Sequence, residues 1–441
     1  MIRGLKLRKH LLPLVLGLLV IAAWISLPLR SNAEKKKYAE LISEAEALEE
    51  RKIYTDALDR YLQALEIRGK DYRVCLKTAD IYYLLGDYAS FISQAGKCLE
   101  IKPSSPAVYS RLLEHYLSVG DYDAAIRTYE GALASDSVDS AVSNAGRRLM
   151  HSYSRIWLSL SDTGDFFDAE KWSTAPASVD GKWGLISSDG KRVLKYAYDA
   201  VVAPGNGEML IPVKSDGEWF YVDGDGNRKL ASLESYGYLG PFEGDIAPCE
   251  RNGVYGYIDK NFTEKHMEFE YAGAFSGGCA AVEKDGKWAL INRNFVSLTS
   301  FEYDRILLDR NGYATRFGIA VGEKDGSFYF IGTDGKESPF CFEDAALPAS
   351  DDGMIAVKKD GLWYFTDRDG GELRGLGYAG AISFSHGLAA VNTGVGWVYI
   401  DERMEPVSED VFTGCSPFAG RGSAFVYSGY AYNIIKLSVC G

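Results

Sequence analysis

Any chemistry in this chain must come from a short list of side chains. His10, His115, His151, His266 and His386 are the five histidines of a 441-residue sequence. None is spaced as a metal ligand or set beside an evident nucleophile. No phosphate-cradling glycine loop and no nucleophile elbow occur. The run closest to a ligand set is Asp223, Asp225, Asn227 and Glu234, at positions 1, 3, 5 and 12 of a calcium-loop spacing. Arg228 stands where that loop demands glycine, and Asp225-Gly226 reads equally as a tight turn, which is the preferred reading. Carboxylates are plentiful after residue 166, where a pair could serve sugar hydrolysis, but most occupy turn positions. Cys75, Cys98, Cys249, Cys279, Cys341, Cys415 and Cys440 form no C-x-x-C pair, so zinc is not indicated and buried free thiols are expected. The sequence predicts no enzyme, no cofactor and no metal site.

The elements that would have to hold a site are far more legible. Trp183, Trp219, Tyr255, Trp288, Phe328, Trp363, Trp397 and Tyr430 form a ladder with steps of 36, 36, 33, 40, 35, 34 and 33 residues. Such a period implies repeats, each burying its apolar face against its neighbours. Before most ladder aromatics comes Asp180-Gly181, Asp216-Gly217, Asn252-Gly253, Asp285-Gly286, Asp325-Gly326 or Asp360-Gly361, each a hairpin signal because both central residues need positive φ. Gly394-Val395 takes that place in the seventh unit. A second turn comes at Asp189-Gly190, Asp225-Gly226, Asp334-Gly335 and Asp369-Gly370. Each unit therefore reads as three or four short antiparallel strands.

Upstream, Tyr54, Tyr88 and Tyr122 recur at 34-residue intervals. Ala57, Phe91 and Ala125 then coincide, as do Ala64, Cys98 and Ala132, with Gly86-Asp87-Tyr88 and Gly120-Asp121-Tyr122 at turns between helices. Residues 34–165 thus resemble tetratricopeptide repeats. Lys52 replaces the first turn glycine, and Ser137 the last closing proline. The stretch Ala141–Leu160 is expected to be a helix capping the array. The resemblance implies a curved helical surface that binds a protein or peptide; the alternative is a spacer.

Lys182-Trp183-Gly184-Leu185-Ile186, with Asp189-Gly190-Lys191 just after it, resembles the WG repeat family of bacterial exported proteins. Phe220, Ala289, Tyr329, Tyr364, Val398 and Ala431 stand in place of the glycine in other units. Residues 166–441 are therefore expected to be an all-β repeat domain of about eight units. The expected form is a β-propeller with ladder rings filling the gaps between blades, the alternative an open β-solenoid. The family implies a scaffold and no particular activity.

Residues 1–33 complete the multidomain reading. Leu11 to Leu29 carries no formal charge and is long enough to span a membrane as a helix, after Arg3, Lys6, Arg8 and Lys9. An uncleaved anchor and a signal peptide cut near Ser31-Asn32-Ala33 are both open, and either would export the chain beyond residue 33. Residues 166–441 hold 26 basic and 40 acidic side chains, which disfavours nucleic acid as a partner. The expectation is a membrane-tethered envelope scaffold engaging a protein partner, with a cell-wall polysaccharide binder as alternative. A glycan-processing enzyme is the third, weakest alternative.

Overall fold

The computed structural model describes residues 32–168, 173–207 and 209–438. The chain divides into two compact units, Met1–Leu149 and Met150–Gly441.

The first unit is helical: α1 (32–50), α2 (Tyr54–Ile67), α3 (Tyr72–Leu84), α4 (Tyr88–Ile101), α5 (Pro106–Val119), α6 (Tyr122–Ala134) and α7 (Ser140–Met150). The boundaries arise from local chemistry. Asp71, Asp87 and Asp121 accept bonds from first-turn amides of the helices they precede. Gly86 and Gly120 end α3 and α5 at φ of 76° and 72°. Lys52 adopts the same left-handed conformation at φ 61°, so the glycine missing there is replaced at some cost in backbone strain. Ala57, Ala64, Ala125 and Ala132 are fully buried where helices nest. The expected helix over 141–160 is correct only as far as Met150. Its last part, Tyr153–Leu160, is a strand of the second unit.

That second unit is an eight-bladed β-propeller. Blade 1 holds Asp162–Thr163, Ser173–Val179, Lys182–Ser187 and Arg192–Tyr198 in that order, with Phe167–Asp168 as an extra pairing. Blades 2 to 7, whose strands fall within 200–230, 238–269, 271–292, 305–342, 344–378 and 380–401, repeat the antiparallel meander. In blades 4 and 7 the fourth edge is reduced to bridges such as Trp288 with Tyr303 and Trp397 with Phe412. Blade 8 is composite: Gly414–Cys415, Ser423–Tyr427 and Tyr432–Leu437 are completed by Tyr153–Leu160, from the start of the unit. Joining the two ends in one sheet closes the ring, which decides for the propeller over the solenoid and leaves no free sheet edge at the seam. Phe425 of blade 8 stacks on Phe166 of blade 1 at 4.4 Å, and Lys436 pairs with Asp189 at 3.0 Å.

The turns are as the dipeptides require. Asp180, Asp216, Asn252, Asp285, Asp325 and Asp360 all have φ between 51° and 56°, and the glycine after each is also positive. A second expectation is corrected. The fold reading included a membrane-spanning helix, and among the described residues no helix is long and apolar enough to cross a membrane. The run Leu11–Leu29 lies outside the described residues.

Candidate functional site

In the helical unit residues of α1, α3, α5 and the capping α7, with Phe91 of α4, line a groove of about 680 Å³. Its lining includes Glu49, Asp80, Tyr83, Leu84, Arg111 and Glu114. Arg111 grips Asp80 through two guanidinium nitrogens, Nη2 to Oδ2 at 3.0 Å. Lys77 donates to Glu49 at 2.8 Å, and Arg148 donates to both carboxylate oxygens of Glu114 at 2.8 Å. These pairs fix the charged side chains in place without burying them, since Glu114 remains 51% exposed. Beside them the apolar rim is open: Leu84 is 57% exposed and Tyr83 37%. Tyr83 is held from behind by Phe91 at 5.2 Å and by buried His115 at 6.0 Å, in edge-on contacts. Burial lowers the pKa of His115, so this imidazole is a neutral packing group.

The propeller axis is the other candidate. Loops of blades 1, 5, 6, 7 and 8 enclose a cavity of about 310 Å³, with Phe166, Leu347 and Phe418 among its apolar walls and Asp165, Asp309 and Arg316 among its charged ones. Leu307 to Arg310 and Arg316, from one loop of residues 307–316, line one side of it. In this loop Asp309 accepts from the amides of Asn311 and Tyr313, both at 2.9 Å, and pairs with Arg316 at 2.6 Å. The tip reaches across the axis to blade 1. The Arg310 amide donates to Asp165 at 3.0 Å, Arg310 Nη1 bonds the Thr163 carbonyl, and Asn311 Nδ2 donates to the Asp165 carbonyl at 3.3 Å. Its flank is tied to blade 4 by Ala274 N donating to Gly312 O at 2.9 Å and Thr315 Oγ1 donating to Ser276 O at 2.5 Å. Burial pushes the Asp309 carboxyl pKa up, and Arg316 with the Tyr313 amide pulls against that shift. The loop is a plug. The sequence signal for it was the single 40-residue step of the ladder, between Trp288 and Phe328.

The ladder residues fall in one register. Trp183, Trp219, Tyr255, Trp288, Phe328, Trp363 and Trp397 each lie opposite the residue five positions earlier, on the preceding strand. In blade 8 that register gives the place to Tyr432, opposite Tyr427. Tyr430 is 98% exposed and lies in the turn, so it is not the eighth rung. Nor do the rungs alone fill the gaps between blades. Most are half-buried, and the residues two places on are the fully enclosed ones: Leu185, Tyr221, Tyr257, Leu290, Phe330, Phe365, Tyr399 and Ile434. Three of these tyrosines bond the next blade directly, Tyr221 to Gly240 O at 2.8 Å, Tyr257 to Gly273 O at 3.1 Å and Tyr399 to Ser416 O at 2.8 Å. The rungs pack at the seam edge, where Tyr255 meets Tyr271 of the next blade and Tyr271 meets Trp288, each pair at 5.2 Å.

The remaining chemical candidates resolve into turn structure. Asp223 accepts from the amides of Asp225 and Asn227 at 3.0 and 2.9 Å and pairs with Lys229 at 2.9 Å, while Glu234 pairs with Arg251. Lys229 and these amides hold the Asp223 carboxyl well below the usual range. His266 stacks on Phe295 at 4.2 Å. Ser385 Oγ and His386 Nδ1 are 2.9 Å apart, with His386 Nε2 bonded to Gly420 O at 3.0 Å. Ser385 is 2% exposed, so this contact braces the Ser385–Gly387 turn against blade 8. His10 and Cys440 lie outside the described residues.

The family described as WG containing repeat matches residues 183–219 and 255–288, so the chain carries WG repeats there. Among solved structures, the helical unit is similar to the Sgt2 TPR domain from Aspergillus fumigatus, at 25% identity over 24% of this chain and 73% of that one, TM-score 0.22. It is also similar to PcrH in complex with the chaperone binding region of PopD, at 17% identity over 26% of this chain and 88% of that one, TM-score 0.23. The β unit is similar to the β-propeller domain of Cps50 (Swd1) from Myceliophteria thermophila, at 10% identity over 63% of this chain and 99% of that one, TM-score 0.35. No curated protein matches the sequence.

Proposed function

We propose that the protein is a non-enzymatic interaction scaffold whose helical groove holds a peptide segment of a partner protein. The observation that carries this reading is the groove lined by α1, α3, α5, α7 and Phe91 of α4, where open Tyr83 and Leu84 adjoin the fixed carboxylates Glu49, Asp80 and Glu114. That combination fits a segment presenting an apolar residue next to lysine or arginine: the apolar contact supplies affinity, and the carboxylates set register. Pairs already satisfied within the chain keep their geometry before binding, which reduces the ordering cost of association. The propeller supports a scaffold role, because the loop carrying Arg310 bonds across the ring to blade 1 and the ladder rings Trp219, Tyr255 and Trp288 are packed against Tyr238 and Tyr271.

The test is to pan a random peptide library displayed on phage against the full chain. Selected peptides should pair an apolar residue with a basic one, and Tyr83→Ala or Glu114→Lys should weaken them at least about tenfold, equivalent to ~1.4 kcal/mol. Circular dichroism would check that the helical content of each variant is kept. Enrichment indifferent to both substitutions would reject the groove. Retention of the chain on purified wall polymer, with no peptide selected, would move the protein to the polysaccharide-binding class.

A further inference from the structure

Two thiols face each other beneath that groove. Cys75 lies in the first turn of α3 and Cys98 in the last turn of α4, with their sulfurs 2.6 Å apart. They are 2% and 0% exposed, in a cluster with Ala79, Phe91, Ala95 and Val108. Gln94 Nε2 donates to Cys75 Sγ at 3.3 Å and closes the polar side of the contact. No other cysteine precedes residue 249, so within the helical unit each has only the other as a thiol partner. In the other unit Cys249 lies against the Met267 sulfur and Cys279 against the Thr333 carbonyl.

We propose that Cys75 and Cys98 are a disulfide-forming site that staples the middle helical hairpin when the chain folds in an oxidising medium. The hairpin α3–α4 is closed at one end by the turn Leu85–Asp87, and the bond would close the opposite end. Asp80, Tyr83 and Leu84 on α3 and Phe91 on α4 would then be held on a hairpin fixed at both ends. Chemically, the Cys75 thiolate attacks one sulfur of a small-molecule disulfide such as oxidised glutathione, releasing one thiol. The Cys98 thiolate then attacks the Cys75 sulfur of the mixed disulfide and releases the second. The two protein thiols lose two electrons and two protons in all, and the glutathione disulfide gains them. Because both sulfurs are enclosed, exchange takes place while the unit is still open or transiently reopens.

The test uses the full chain, unfolded and refolded in oxidised and reduced glutathione, then denatured and labelled with N-ethylmaleimide. The expected result is two fewer labels than the seven obtained after reduction, and a digest that yields Cys75 and Cys98 peptides joined. The thermal midpoint of the helical unit should be higher in the oxidised form and return on adding dithiothreitol. Cys75→Ala should abolish the label deficit. If that variant misfolds, the peptide map of the unsubstituted chain decides alone. Full labelling of all seven, or a bond joining other cysteines while Cys75 and Cys98 are labelled, would overturn the proposal.

Discussion

Replacing Asp309 by alanine removes the hub of the plug. Its carboxylate, only 4% exposed, is the acceptor for the Asn311 and Tyr313 amides and the partner of Arg316, itself 20% exposed. Each buried amide left without an acceptor costs about 1–3 kcal/mol. Stripping one partner from a buried ion pair costs roughly 3–5 kcal/mol. These terms overlap, and the partly solvated guanidinium relaxes toward water, so a total near 3–5 kcal/mol is expected. That is a large share of the roughly 5–15 kcal/mol that holds an ordinary domain together. At about 2–4 °C per kcal/mol, the unfolding midpoint of the propeller should fall by roughly 6–20 °C. Tryptophan fluorescence reads this unit selectively, because Trp157 and every later tryptophan belong to it and only Trp24 precedes it. Asp309→Asn keeps one acceptor oxygen and should lose about half as much. A midpoint for Asp309→Ala within about 2 °C of the unsubstituted chain, well under the expected drop, would show that the plug does not brace the ring, and the reasoning from its cross-channel bonds would fail.

Other consequences can be measured in the same way. A methyl group at Gly184 would lie 2.6 Å from Leu194 O and 2.7 Å from Lys195 O, so Gly184→Ala should cost about 1–3 kcal/mol in denaturant titration. At Gly286, where an added Cβ meets nothing within 4 Å, alanine should cost only about 1 kcal/mol for its positive φ of 67°. Tyr257→Phe removes a buried bond to the next blade and should destabilise by about 1 kcal/mol; an unchanged midpoint would deny the seam tyrosines an energetic role. Lys436 holds the Asp189 carboxyl below its usual pKa, so the link between blades 8 and 1 stabilises at neutral pH and weakens as pH falls below about 4. Acid titration of Asp189→Asn should accordingly converge with the unsubstituted chain below that pH and diverge above it.

Local rules carried much of this protein in the sequence itself. Paired positive φ at Asp180-Gly181 and its five counterparts, the aspartate caps of α3, α4 and α6, and the ladder register are short-range, set by residues within a few positions of each other. Features that depended on contacts between distant residues were not visible. Tyr153–Leu160 has apolar residues that suit a helix as well as a strand, and only pairing with Tyr432–Leu437, nearly 280 residues later, makes it the closing edge. Tyr430 and Tyr432 are equivalent by spacing, and only the cross-strand partner Tyr427 distinguishes them. The 40-residue step marked an insertion, but that Arg310 and Asn311 cross the axis to Thr163 and Asp165 is a result of ring closure. The groove and the Cys75–Cys98 contact arise likewise from stacking helices whose facing residues lie about 20 or more positions apart. Sequence periodicity specifies a repeat and its turns because those are local energies. Which residues meet across blades or helices is decided by the closed packing of all the repeats together.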